Sequence, residues 1–261
     1  MFDERRHDID ALRSIALFLL IFYHLAVSFT SVAKWILFVP NNKPIDNIWS
    51  LLSIFNIWRI PLLFIIAGIA LRFSYQNRGA GKLFKERFKR LGIPYLFGVV
   101  TFVPLYIIIS AQFIYGDMSL DDNIGVLITS IFTGGHLWFL INILIYCLLL
   151  IPIIGFISNK KRGYKFVDSI LKIRGGVLLF SIPIILEGYL LDLTAYKEDI
   201  AYGNSYSEYY GTDHGLLLGF IWFLIGIVLT SQGDTFWEYN IKNINTHAPV
   251  SYTHLTLPTK A

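Results

Sequence analysis

From Ser14 to Ala33 the chain carries no Asp, Glu, Lys or Arg, and from Leu91 to Gly116 it again carries none. A helix needs about 20 consecutive apolar residues to cross a bilayer, so blocks of this length predict membrane spans. The pattern predicts six of them, near residues 12–31, 49–71, 92–113, 136–157, 175–193 and 214–231. The expected fold class is therefore all-α, a polytopic transmembrane helix bundle. Asn123 to Asn159 is also free of the four charged types but is too long for one straight span. Ile124–Thr133 reads as an interfacial or re-entrant piece, with Gly134-Gly135 marking a break. Pro61, Pro104, Pro152 and Pro183 fall inside predicted spans, where neighbouring helices can satisfy the carbonyls a proline frees.

Composition agrees: 55% hydrophobic against 15% charged residues excludes an ordinary soluble domain. The distribution of charge then orients the chain. The second-to-third connection holds Arg78, Lys82, Lys85, Arg87, Lys89 and Arg90, and the fourth-to-fifth holds Lys160, Lys161, Arg162, Lys165, Lys172 and Arg174. The opposite loops hold only Lys34, Lys43 and Lys197, together with acids such as Asp117, Asp121, Asp122 and Glu198. This asymmetry places the N-terminus in the cytoplasm. The first span lacks a small-residue cleavage site and reads as an uncleaved signal anchor. One cysteine, Cys147, excludes an internal disulfide framework.

An ionisable group in hydrocarbon points to function, because leaving it unpaired there is costly. Arg13 opens the first apolar block and His24 lies inside it, eleven residues on. Eleven helical steps overshoot three turns by only ~20°, so both share one face, about 16 Å apart along the axis. Such a histidine can take a proton from a hydroxyl and return it to a leaving group; the alternative is interhelical hydrogen bonding. Arg59 sits well inside the second span, where it either snorkels to the outer headgroups or binds an anion or carbonyl. Glu187, inside the fifth span, is the expected acidic partner for one of these basic groups. His136 and His214 begin the fourth and sixth spans at the outer boundary. Residues 82–91 read as a surface-lying amphipathic helix with Phe84, Phe88 and Leu91 on one side. That helix either anchors on anionic lipid or uses Arg87 and Arg90 to hold a phosphorylated donor. There is no G-x-S-x-G elbow, H-E-x-x-H zinc site, CxxC or phosphate-binding P-loop, so no metal or nucleic-acid site is expected.

Four segments together resemble acyltransferase family 3, a family of integral membrane proteins. Asp8-Ile9-Asp10-Ala11-Leu12-Arg13 with His24 is similar to the family's first-helix signature of a basic residue, ten residues and a histidine. Arg59-Ile60-Pro61-Leu62-Leu63-Phe64-Ile65-Ile66-Ala67-Gly68 resembles its second-helix run, which typically ends Ser-Gly. His136-Leu137-Trp138-Phe139-Leu140 resembles a further landmark, and Arg87-x-x-Arg90 resembles its cytoplasmic RxxR element. The Arg-Ile-Pro and His-Leu-Trp-Phe-Leu segments look closest to the glucans biosynthesis protein C-like branch.

The resemblance implies O-acylation of a carbohydrate, with acetyl or succinyl delivered from cytoplasmic acyl-CoA and no permanently bound cofactor. It implies His24 as general base or transient acyl carrier and Arg13 as an orienting or donor-binding group. Arg87 and Arg90 would meet donor phosphates; Arg59, His136 and Glu187 would support the reacting carbonyl or the acceptor. The implied partners are acyl-CoA, a carbohydrate acceptor and membrane lipid, in the multi-pass setting of a bacterial cytoplasmic membrane. A transporter or flippase with His, Arg and Glu coupling groups is the alternative. Family members usually have about ten spans. Residues 1–245 are thus expected to be a truncated membrane domain, and 246–261, without helical periodicity, a non-native or disordered tail.

Overall fold

The computed structural model describes residues 7–36, 38–45, 47–117, 119–157, 163–173, 175–193 and 213–231. The expected tail at 246–261 and the charges Lys160–Arg162, Arg174 and Lys197 lie outside the described residues. Among the described residues every regular element is helical, and the architecture is that of a helical membrane bundle.

Among the described residues three helical runs are long and apolar enough to cross a membrane: Ile9–Val27, Trp58–Gln76 and Ala80–Tyr115. Gly135–Leu150, Gly176–Leu190 and His214–Thr230 are apolar but shorter, and the six segments fall at the six predicted positions. The prolines account for much of the irregularity. Helix α1 (His7–Val27) leads through a 3-10 turn at Ser31–Ile36 to α2 (Ile48–Arg78), and among the described prolines only Pro61 lies deep inside one of these helices. Beyond α3 (Ala80–Arg87) the backbone widens into a π turn at Phe88–Gly92, just where Pro94 has no N–H for the Arg90 carbonyl. Helix α4 (Ile93–Val100) breaks at Thr101 before α5 (Phe102–Tyr115), because Pro104 likewise leaves the Val100 carbonyl without its donor.

After α6 (Leu120–Thr133), Gly134 and Gly135 take positive φ values of 70° and 48°, which is the predicted break. Helix α7 (Trp138–Leu150) ends just before Pro152, and Pro183 stands in the first turn of α10. Most of the span prolines therefore mark helix ends instead of being absorbed within straight spans. Short α8 (Ile154–Ile157), amphipathic α9 (Gly163–Lys172), α10 (Ile182–Leu193) and α11 (Asp213–Thr230) complete the chain.

The core lies where α2, α7 and α11 meet, around Phe64, Leu71, Tyr146, Leu150, Phe223 and Ile227. Helix α11 packs along α2 more extensively than any other pair does. Contacts advance together from Phe64–Gly219 through Gly68–Phe223 to Arg72–Ser231, so the two helices run parallel. The alternation of six spans expected from sequence has the second and sixth running in the same direction, in agreement. At the inner end buried Arg72 donates from Nε to Ser231 Oγ at 3.2 Å, a cation set against the C-terminal carbonyls of α11.

Residues 82–91 are helical, with apolar side chains divided between the bundle and the surface. The segment continues helically into the third span, Leu83 is fully buried, and Phe84 and Phe88 face outward. Leu83, Arg87 and Leu91, at i, i+4 and i+8, make the inward side instead, because α7 packs on that side.

Candidate active site

His24 lies near the end of α1 and turns towards the start of α7. Its ring is nearly parallel to that of His136, with centroids 5.8 Å apart and an interplanar angle of 11°. Phe38, from the segment after α1, stacks on His24 at 5.7 Å and lies tilted against His136 at 4.7 Å. Tyr106 of α5 stacks on His136 at 4.5 Å. The glycine break makes this possible, since a Cβ at Gly135 would stand 2.5 Å from the Tyr106 hydroxyl. His24 is half-buried and His136 is exposed.

Arg59 is only 2% exposed, and its guanidinium carbon sits 3.9 Å over the Tyr23 ring. A desolvated cation on an aromatic face is held electrostatically by the ring quadrupole. Tyr23 precedes His24, so the stack brings a fixed positive charge within electrostatic reach of the imidazole.

A second basic group lies deeper. Arg87 donates from Nη2 to Ser74 Oγ at 2.7 Å and to the Ala70 carbonyl at 3.2 Å, both on α2. The charges of Arg13 and Arg90 reach Arg87. Arg90 pairs with Glu86 at 2.9 Å, and Glu86 also binds Arg78. The register of α1 on α2 explains the two depths. The helices run antiparallel, Tyr23 meeting Arg59 and Ile9 meeting Ile66 and Ile69. Arg59 and Ala70 lie eleven positions apart, as Arg13 and His24 do. Each pair shares a helix face, so His24 with Arg59 and Arg13 with Arg87 occupy two levels of one seam, about 16 Å apart.

Glu187 is not the partner of Arg59, Arg13 or His24. Its carboxylate pairs with Nδ1 of His214, because α11 stands between α10 and α2 and presents its first turn to the fifth span. The Glu187 carboxylate is buried and the His214 side chain largely so. Removing one member strands a buried polar group, whereas removing both does not. His214→Leu is therefore expected to lower stability in detergent by about 3–5 kcal/mol, and Glu187→Leu/His214→Leu by clearly less. Thermal unfolding of the two single variants and the double variant measures that coupling.

Tyr23, Phe38, Ser74 and Tyr106 belong to the seam but carry no sequence signal, being ordinary residues for an apolar helix or loop. Arg72 is equally unmarked, one turn from the charged cytoplasmic end of its span. Among the described residues no group of three or more His, Cys, Asp or Glu is placed to hold a metal ion.

The bundle thus holds a half-buried imidazole at one level and buried or partly buried guanidinium groups at two levels. The chain belongs to acyltransferase family 3: the family's acyltransferase domain matches residues 6–236. Enzymes of this kind are acyltransferases that move groups other than aminoacyl groups. Comparison with curated proteins and with solved structures returns no match. The matched range contains Arg13, His24, Arg59, Arg87, Arg90, His136 and Glu187.

Proposed function

We propose that the protein transfers an acetyl or succinyl group from cytoplasmic acyl-CoA to a hydroxyl of a cell-surface carbohydrate, in the cytoplasmic membrane of a bacterium. The observation that carries this reading is the two-level seam. Arg13, Arg87 and Arg90 lie at its inner level, where a phosphorylated donor would arrive. His24, His136 and Arg59 lie at its outer level, towards the acceptor. A thioester arm entering from the cytoplasm along the seam would bring its carbonyl to the imidazole.

The step balances simply. His24 takes the proton of the acceptor hydroxyl as that oxygen attacks the thioester carbonyl. The tetrahedral oxyanion is stabilised by the nearby Arg59 cation. Collapse forms the ester, breaks the carbon–sulfur bond and expels the thiolate of coenzyme A, which takes the proton back from His24. His136 holds the imidazole in its parallel stack and faces the acceptor. Glu187, engaged with His214, supports the acceptor side only through the packing of α10 on α11.

The test is transfer itself. Purified protein in lipid nanodiscs, given radiolabelled acyl-CoA and a hydroxyl-rich oligosaccharide, is expected to yield an alkali-labile ester on the sugar. Counterflow of a solute across vesicles without any ester would overturn the proposal in favour of transport.

A further inference from the structure

Helix α9 joins the fourth and fifth spans and has three distinct sides. At ~100° per residue, Phe166 and Ile170 fall within about 40° of one line, and Ile173 follows just past the helix end. Val167 and Leu171 lie to one side of that line, and Lys165, Asp168 and Lys172 lie opposite them. The Val167–Leu171 side is buried against Ile225 and Leu229, in the last turns of α11. Those turns lead to Ser231, which is bonded to Arg72, so α9 sits at the cytoplasmic ends of the spans. The apolar line is open: Phe166 is 68% and Ile173 55% exposed. On the charged side Lys172 pairs with Asp168 at 2.6 Å while remaining largely exposed, and Lys165 is exposed without a carboxylate partner among the described residues.

What covers the open line is indicated by where the chain goes next. After Gly175 (φ 78°) the backbone folds so tightly that a Cβ at Gly176 would lie 1.8 Å from the Ile170 carbonyl oxygen. The chain then enters the fifth span through exposed Leu178, Leu179 and Ile182. Exposed apolar side chains thus occur both on α9 and at the start of the fifth span. Ten residues reach only ~15 Å, too short to cross a bilayer. The loop around them is basic, with Lys160, Lys161, Arg162 and Arg174 flanking Lys165 and Lys172.

We propose that α9 is an interfacial helix of the cytoplasmic leaflet, with Phe166, Ile170 and Ile173 seated among acyl chains just below the headgroups and Lys165 and Lys172 set against the phosphates of anionic lipids. A helix with one apolar and one cationic side gains both hydrophobic burial and electrostatic attraction in this position. Packing against α11 makes it part of the bundle, so the bilayer surface helps to hold the inner ends of the fifth and sixth spans.

Depth measurement tests this on the full-length chain. Cys147 is buried and shielded from thiol reagents, so Phe166→Cys and Lys165→Cys each supply one labelling site. The fluorescent variants are reconstituted in vesicles of phosphatidylcholine alone or mixed with phosphatidylglycerol. The expected result is loss of aqueous iodide quenching and gain of brominated-acyl-chain quenching at position 166, with the reverse at position 165. Phosphatidylglycerol should deepen position 166, and Lys165→Gln/Lys172→Gln, in the Phe166→Cys background, should remove that increment. Equal iodide access at both positions would overturn the proposal. So would shielding of position 166 from both quenchers, the signature of a covering protein. A depth indifferent to phosphatidylglycerol would overturn the assignment to anionic lipid. None of these outcomes depends on acyl transfer.

Discussion

Replacing His24 with alanine lowers the rate of acyl transfer by about 10²–10⁴-fold, the usual contribution of a positioned general acid–base group. The unfolding midpoint stays close to that of wild type, because the half-buried ring stacks on Phe38 and His136, meets Tyr23 edge-on and leaves the main core untouched. The loss falls on kcat more than on KM for the donor, whose phosphates would be met a full ~16 Å away at the inner level. Single-turnover measurements in nanodiscs with saturating acyl-CoA separate the two. Wild-type turnover in His24→Ala would remove the imidazole from the reaction, while leaving the family membership and the bundle as they are.

The second large effect is structural. A Cβ at Gly68 would stand 2.1 Å from the Phe223 carbonyl oxygen, and one at Gly226 would stand 2.2 Å from that of Ile65. Both obstacles are backbone atoms of the facing helix, so no side chain can swing aside. Small residues let membrane helices approach closely enough for dense van der Waals packing, the main attraction left when the surroundings are as apolar as the helix. Gly226→Ala therefore forces α2 and α11 apart, at a cost of about 1–3 kcal/mol from overpacking, to which weaker dispersion attraction along the separated helices adds. Gly68→Ala acts in the same way. Gly188→Ala is the control, since a Cβ there meets nothing within 4 Å. Thermal unfolding in detergent is expected to show a clear fall for the first two and none for the control. Equal midpoints for all three would mean that the close crossing does not support the bundle.

The helical bundle is readable from sequence because lipid imposes a simple rule: every buried backbone group must be satisfied within its own segment. Charge-free blocks such as Leu91–Gly116 therefore announce spans, and the basic loops announce their direction. The Arg13–His24 face is readable because it depends on one helix alone. What depends on two helices is less visible. Sequence pairs Glu187 with the more conspicuous cations, yet its partner is His214, because which helix stands next to α10 is a matter of packing. The aromatic stack around His136 joins Phe38 and Tyr106 from distant parts of the chain, and neither position has a distinguishing pattern. Which side of residues 82–91 turns inward is likewise a matter of packing. The side of α3 that turns inward is set by α7, which buries Leu83 and leaves Phe84 and Phe88 outside.

The antiparallel register of α1 on α2 turns residue count into a ruler. Ten residues intervene between Arg13 and His24, and ten between Arg59 and Ala70, so both edges of the seam are graduated alike. Many apolar sequences could fill either interval without altering the distance marked off, since every helical residue adds the same ~1.5 Å. The number of residues is different, because one more would swing everything beyond it by ~100° out of the seam. In such a device chain length stores the measurement, and the intervening side chains are free to answer to the lipid around them.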